Sequence, residues 1–299
     1  MSFLIVIPIL LPWVGAIVAA RKSLIREDRL KPFVAFTVIL NFFILFGVAR
    51  FLPGARLHLL TVNNFLDLYL RPDSMGILFG IMASLLWILT SFYAFEYMKH
   101  EGKLRQFYLF FLLTLGVTVG IAFSGNLFTL YAFYEFLTLA TFPLVIHSGT
   151  EEAVRSGRKY IMYSFSGAAF VLMGMILVYS RTNALHFVPR GIIGPEICSL
   201  MDAEEKTLLL IGYLFLFIGF GVKAALAPFH SWLPSAMVAP TPVSALLHAV
   251  AVVKSGIFSL IRVTYYLFGA ACVSWLGASA YLVPIILLTI IMGSLLALH

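Results

Sequence analysis

Long apolar runs alternate with short polar stretches along the 299 residues. A helix needs about 20 apolar residues to cross a hydrocarbon layer of about 30 Å. Nine runs approach or exceed that length, at about 2–20, 33–50, 74–95, 107–124, 126–148, 159–180, 207–230, 242–267 and 274–298. The pattern predicts an all-α polytopic membrane protein of about nine transmembrane helices. Between runs two and three, residues 62–71 read VNNFLDLYLR, with Leu66, Leu68 and Leu70 alternating with Asp67, Tyr69 and Arg71. That period of two predicts a short strand or hairpin on the membrane surface. Ser124-Gly125-Asn126 is a tight turn, which makes runs four and five antiparallel neighbours. The connection around 186–205 carries Pro189, Gly191, Gly194 and Pro195 as breakers.

Composition supports the class. The chain is 62% hydrophobic and 11% charged, against about half apolar and a quarter charged in soluble domains. The net charge of +7 is no nucleic-acid signature, because most basic residues sit in short loops. RKSLIREDRLK after the first run, then Lys99, Lys103 and Arg105, then Arg155, Arg158 and Lys159 mark every second connection. Such loops stay on the cytoplasmic side. The opposite connection at 181–206 holds Glu196, Asp202, Glu204 and Glu205, while Arg50, Arg56, Arg71 and Arg262 dilute the contrast. An N-terminus outside the cell follows. Positive charges follow the run Ser2–Ala20 rather than precede it, as in a retained first helix. Cys198 and Cys272 are too far apart in sequence to suggest a disulfide or metal-ligand spacing.

Once loops and helix ends have absorbed the other charges, Glu135, Lys223 and Lys254 remain at membrane depth. A central charge costs about 2.5–3.5 kcal/mol on insertion scales, and such residues often mark an ion or proton path. Burial disfavours the charged form and an adjacent opposite charge favours it, so a Glu–Lys pair can switch its protonation when it opens, closes or is rehydrated. The alternative is a static pair that only fixes helix packing. Pro228, five residues after Lys223, removes a backbone donor and predicts a kink or break in the seventh helix; broken helices at depth line wet cavities. Ser244 and His248 share a face of the eighth helix, and Lys254 lies about 9 Å beyond His248 along its axis and on a different side. His230 and Ser244 are further relay candidates, and no metal-ligand geometry accompanies them. In the linking loop, Thr241 is placed to cap the eighth helix with Pro242 at its first position. Trp232 fits an interfacial aromatic.

The stretch KAALAPFHSWLPSAMVAPTPVSALLHAVAVVKSGIFSLIR closely resembles the signature of the antiporter-like, proton-pumping membrane subunits. These include the large membrane subunits of respiratory complex I, the A and D subunits of Mrp-type Na⁺/H⁺ antiporters, and relatives in membrane-bound hydrogenases. YEFLTLATFPL resembles the family's fifth-helix motif, and RPDSMGILFG the entry to its third helix. The resemblance implies that Glu135 is the fifth-helix glutamate paired with Lys223 of the broken seventh helix. It also implies that Lys254 passes protons towards the centre of the subunit and that His248 matches a histidine on the same helix. Helices four to eight would form one half-channel. Residues 1–106 would then hold helices one to three and the hairpin, 107–267 the half-channel repeat, and 268–299 the start of a second, incomplete repeat.

The expected function is proton translocation within a larger complex, either of the NADH:quinone oxidoreductase type or an Mrp-type cation/H⁺ antiporter. An inert structural subunit is the third option. The chain carries no redox or cofactor motif, so electron transfer would belong to other membrane subunits. Protons are the expected cargo, with Na⁺ left open, and a prokaryotic inner membrane is the expected location. The run ending at His299 has no cap or polar tail, and the family's second repeat is missing. A fragment, a remainder on a separate chain and a lone half-channel are all consistent with that.

Overall fold

The computed structural model describes residues 2–52, 54–61, 63, 67–194 and 201–298. Leu66, Pro195, Glu196, Cys198 and His299 lie outside the described residues; Cys272 is buried. Among the described residues nine helices are long and apolar enough to cross a membrane. The protein is an all-α, multi-pass integral membrane protein.

After a short 3₁₀ turn the order is α1 (Ile7–Ala20), α2 (Glu27–Phe51), β1 (Leu57–Thr61), β2 (Asp67–Leu70), α3 (Ser74–Tyr97), α4 (Leu104–Ala122), α5 (Leu127–Val145), α6 (Glu151–Thr182) and α7 (Ala203–Lys223). A 3₁₀ turn (Phe229–Ser231) leads into α8 (Trp232–Ala236), followed by α9 (Thr241–Ala249) and α10 (Val252–Ile261). A π-helical turn (Arg262–Phe268), α11 (Ala270–Trp275) and α12 (Ser279–Ala297) complete it. The strands pair antiparallel, with Leu57 opposite Leu70 and Thr61 opposite Asp67, and a bulge between His58 and Leu60. The alternating stretch therefore supplies the second strand of the hairpin, and its partner precedes it.

Helix starts follow side-chain chemistry. Asp73 caps α3 by accepting from the Gly76 N–H at 2.8 Å, and Asn126 caps α5 from Thr129 at 2.8 Å. Asp202 and Glu205 form a capping box on α7. The bundle is apolar outside as well as inside, and buries hydroxyls among its core side chains. Phe43, Leu89, Met162 and Leu287 point outward, whereas Thr114, Thr118, Thr138 and Ser164 are buried. Between helices in lipid, packing and interhelical hydrogen bonds replace the hydrophobic effect. The α6–α7 seam illustrates this. A Cβ on Gly174 would sit 2.7 Å from the Gly212 carbonyl oxygen, and one on Gly219 would sit 2.7 Å from that of Gly167. The two backbones touch directly across this seam.

Two expectations for the seventh and eighth helices need correction. Thr241 does not cap α9: Pro240 occupies the cap position, Thr241 is already helical, and the Ser244 hydroxyl donates to the Ala239 carbonyl at 3.1 Å. The eighth run is not one straight helix. It breaks at Val250 (φ −132°, ψ −56°) and Ala251 (φ −91°, ψ −77°), between His248 and Lys254. The Ala251 N–H skips a residue to bond the Leu246 carbonyl at 2.8 Å. The straight-helix spacing between His248 and Lys254 therefore does not apply.

Candidate functional site

The seventh helix ends at Lys223, five residues before Pro228. Ala225 adopts a left-handed conformation (φ +61°). Its N–H bonds the Val222 carbonyl at 3.1 Å, and the Leu226 N–H reaches back to Gly221 at 2.8 Å. These two bonds make a Schellman cap, a common way to stop a helix. The Leu226 side chain lies directly over Gly221. The expected break is present, and the chain closes it with a left-handed cap at Ala225, three residues before Pro228. The chain then turns back over the helix end, and Trp232 donates its indole N–H to Val222 at 2.8 Å. Trp232 is 1% exposed, so it belongs to the interior and not to the interface.

Lys223 is thus the last residue of a helix that terminates inside the protein, with 1% of its side chain exposed. Carbonyl ends of helices favour cations. The ammonium donates to the backbone carbonyl of Tyr134 and stands 3.3 Å from the centre of the Tyr134 ring. The Tyr134 hydroxyl donates in turn to the Phe220 carbonyl at 3.3 Å, so one tyrosine holds both the lysine and the helix that presents it. Glu135, the next residue on α5, places Oε1 3.8 Å from the ammonium. That is ion-pair range but not a hydrogen bond, and Oε1 is buried with no hydrogen-bond partner. At an effective dielectric of 20 such a pair attracts by about 4 kcal/mol, set against a desolvation cost of several kcal/mol per ion. With two ions to desolvate, the burial cost outweighs the attraction, and the carboxylate retains an unused acceptor.

The other candidates do not join this pair. Among the described residues, no hydrogen bond or ion pair connects His230, His248 or Lys254 to Glu135 or Lys223. His230 lies in the 3₁₀ turn with Nδ1 buried and unpartnered. His248 and Ser244 are half-buried on α9. Lys254 is exposed on α10, in an apolar groove of about 250 Å³ shared with Met75, Phe79 and Met82 of α3. Two residues on, Gly256 abuts the end of α7: a Cβ there would meet the Ala224 nitrogen at 2.7 Å. Two residues turn a helix by about 200°, so Lys254 emerges on nearly the opposite side from that contact.

Sequence reasoning missed one buried charge. Arg262 is 0% exposed, enclosed by the rings of Tyr266, Phe258 and Phe187 at 4.8, 5.0 and 5.4 Å. Its guanidinium grips the Asp73 carboxylate with both terminal nitrogens, the Nη2–Oδ1 contact being 2.6 Å. The census of charges at depth therefore omits Arg262. The available signal was Asp73 itself, an acidic helix cap at the start of an apolar run.

A broken helix thus presents a buried lysine to a glutamate on α5. The family described as NADH:quinone oxidoreductase/Mrp antiporter, TM, matches residues 124–299, and the chain belongs to it. It is 33% identical over 237 residues to a protein of Staphylococcus haemolyticus (strain JCSC1435) named "Putative antiporter subunit mnhA2", covering 78% of this chain and 28% of that one. The protein of the same name from Staphylococcus epidermidis (strain ATCC 12228 / FDA PCI 1200) is 34% identical over 205 residues, covering 67% and 24%. The chain thus matches only about a quarter of the length of these relatives. Its fold is similar to a chain of the membrane-bound sulfane sulfur reductase, an archaeal respiratory membrane complex, with a TM-score of 0.73, 24% identity, and coverage of 88% of this chain and 53% of that one.

Proposed function

We propose that this chain provides a proton half-channel within a subunit of a multisubunit, ion-translocating membrane complex. The carrying observation is the Glu135–Lys223 contact: a buried lysine 3.8 Å from a partly buried carboxylate, not closed by a hydrogen bond. A proton arriving at Glu135 neutralises the carboxylate and releases the lysine from its counter-ion. The lysine then gives its proton onward, and Glu135 passes its own proton to the neutral amine, which restores the ion pair. Residues 107–267 form the half-channel, residues 1–106 its supporting helices and hairpin, and 268–299 begin a second repeat. Lys254 is the onward station. A lysine facing lipid on a spanning helix is costly, so the groove around Lys254 is covered in the assembled protein. His248, Ser244 and His230 supply hydrogen-bonding stations along the two broken runs, with Pro228 at the turn between them. The N-terminus lies outside a prokaryotic inner membrane, and the partners are other membrane subunits.

The curated relatives are named as antiporter subunits, which fits a second reading, cation/H⁺ exchange with Na⁺ as the counter-ion. One experiment tests both. Everted vesicles carrying the assembled complex are energised with a respiratory substrate, and internal pH is followed before and after Na⁺ addition. Acidification that depends on this complex marks a redox-driven pump, and its collapse by Na⁺ marks exchange. Glu135→Gln or Lys223→Ala should abolish either signal without loss of assembly. Full transport in either variant would reduce the pair to a packing device.

A further inference from the structure

On the basic-loop side of the pair, α5 and α6 bury a line of hydroxyls that the pair itself does not use. Thr138 and Thr141 follow Glu135 at three-residue steps, descending about 9 Å along α5 in all. Both are buried. Tyr160 of α6 is fully buried, and its hydroxyl lies 2.7 Å from Thr141 Oγ1. Thr141 Oγ1 also lies 2.7 Å from the Leu137 carbonyl. The Tyr160 hydroxyl also has the hydroxyls of Ser164 and Thr138 in its surroundings and Glu135 within electrostatic reach, and Thr138 Oγ1 completes no hydrogen bond. Glu135 Oε1 and Thr138 Oγ1 are thus two buried, unpartnered polar atoms one helical turn apart on α5. Unsatisfied buried polar groups are uncommon, and each calls for an explanation.

We infer that Thr141, Tyr160 and Thr138 form the hydroxyl relay that delivers protons to Glu135 from the basic-loop face. This rests on the proton-translocating reading above. The Thr141 hydroxyl has a single proton. Given to the Leu137 carbonyl, it leaves the oxygen to accept from Tyr160; turned to Tyr160, it opens the line in the other direction. In one passage Thr141 takes a proton from water on the basic-loop side and gives its own to Tyr160. Tyr160 passes one to Thr138, and Thr138 passes one to the Glu135 carboxylate. Each hydroxyl gains and loses one proton and ends unchanged, and the carboxylate becomes the acid. Trp232 packs on Tyr160 with ring centres 5.3 Å apart, fixing the ring while the hydroxyl proton remains free to turn.

Side-chain shape separates relay from packing. Valine matches threonine in shape and lacks the hydroxyl, whereas serine keeps the hydroxyl and leaves a small void. In vesicles carrying the assembled complex, Thr141→Ser should transport protons at close to the unmodified rate. Thr141→Val and Tyr160→Phe should each slow transport at least tenfold. The Tyr160→Phe/Thr141→Val double variant removes both partners together, so it should assemble and stay slow. Valine outperforming serine, or a normal rate in the double variant, would overturn the relay. Glu135→Gln is measured in parallel. If it is inactive while Tyr160→Phe and Thr141→Val are normal, the relay falls alone. If it transports normally, the reading of the pair falls and the relay with it.

Discussion

Arg262 closes a bidentate ion pair with Asp73 across 189 positions of the chain, tying the π-helical end of the eighth run to the first residue before α3. Asp73 serves two masters, since the same carboxylate caps α3 through Gly76. Asp73→Asn keeps a capping side chain but strands a buried guanidinium. Breaking a buried pair from one side costs about 3–5 kcal/mol, so this variant should lose most of that amount. Asp73→Asn combined with Arg262→Met removes the stranded charge and should recover much of the loss. Thermal unfolding of the purified protein in detergent measures both. Additive losses in the double variant would show that the pair contributes no coupling.

Ala225 holds the left-handed position of the cap that ends α7. A side chain there costs about 1–2 kcal/mol, of which glycine's extra freedom in the unfolded chain returns part. Ala225→Gly should therefore stabilise the protein by about 0.5–1 kcal/mol, read as a raised Tm. An unchanged or lowered Tm would mean that the alanine methyl makes a compensating contact.

The backbone seam between α6 and α7 leaves no room for a side chain. Gly174→Val and Gly219→Val force the helices apart, and overpacking of this kind costs about 1–3 kcal/mol or more. Gly47→Val on α2 meets nothing within 4 Å and provides the matched control. Protease resistance and Tm should fall for the first two variants and barely change for the third.

His147, just past the end of α5, donates its Nε2–H to the Gly102 carbonyl at 3.3 Å. Burial, joined by the nearby Lys103 charge, pushes its pKa below the ordinary imidazole value of 6.5. The folded state then binds fewer protons than the unfolded state. Stability contributed by the neutral ring is complete above the unfolded pKa, about 6.5, and declines as pH falls below it. His147→Phe should flatten the fall in Tm between about pH 7 and pH 5.5. An identical slope in the variant would assign the acid sensitivity to other groups.

How much of this was legible beforehand depended on the physics behind each feature. The spans were readable because lipid demands about 20 apolar residues from each of them. Glu135 and Lys223 stood out because a charge inside such a run is costly. Arg262 did not, because it lies near the end of its run and was grouped with surface arginines. The break at Ala225 was marked in the sequence by Pro228 three residues on, whereas the one at Val250 carries neither glycine nor proline and left no mark. Thr141 and Tyr160 escaped because hydroxyls are common in membrane helices, and only proximity across α5 and α6 makes these two distinctive. Tyr134 escaped likewise, since its ring and its carbonyl both reach the lysine only once α7 has been stopped beside it.

Gly256 gives the two broken runs a shared mechanics. Where α10 meets the end of α7, main chain lies against main chain, with only a hydrogen atom's width where a side chain would be. Close-packed interiors transmit displacement rather than absorb it, and a contact without side chains has no rotamers in which to dissipate it. Any retreat of Lys223 that shifts the α7 terminus therefore pushes on the helix that carries Lys254 on its other side and leads into Arg262 at its end. The ion pair at Asp73 holds that helix at its far end, and the break at Val250 and Ala251 bounds it at the near one.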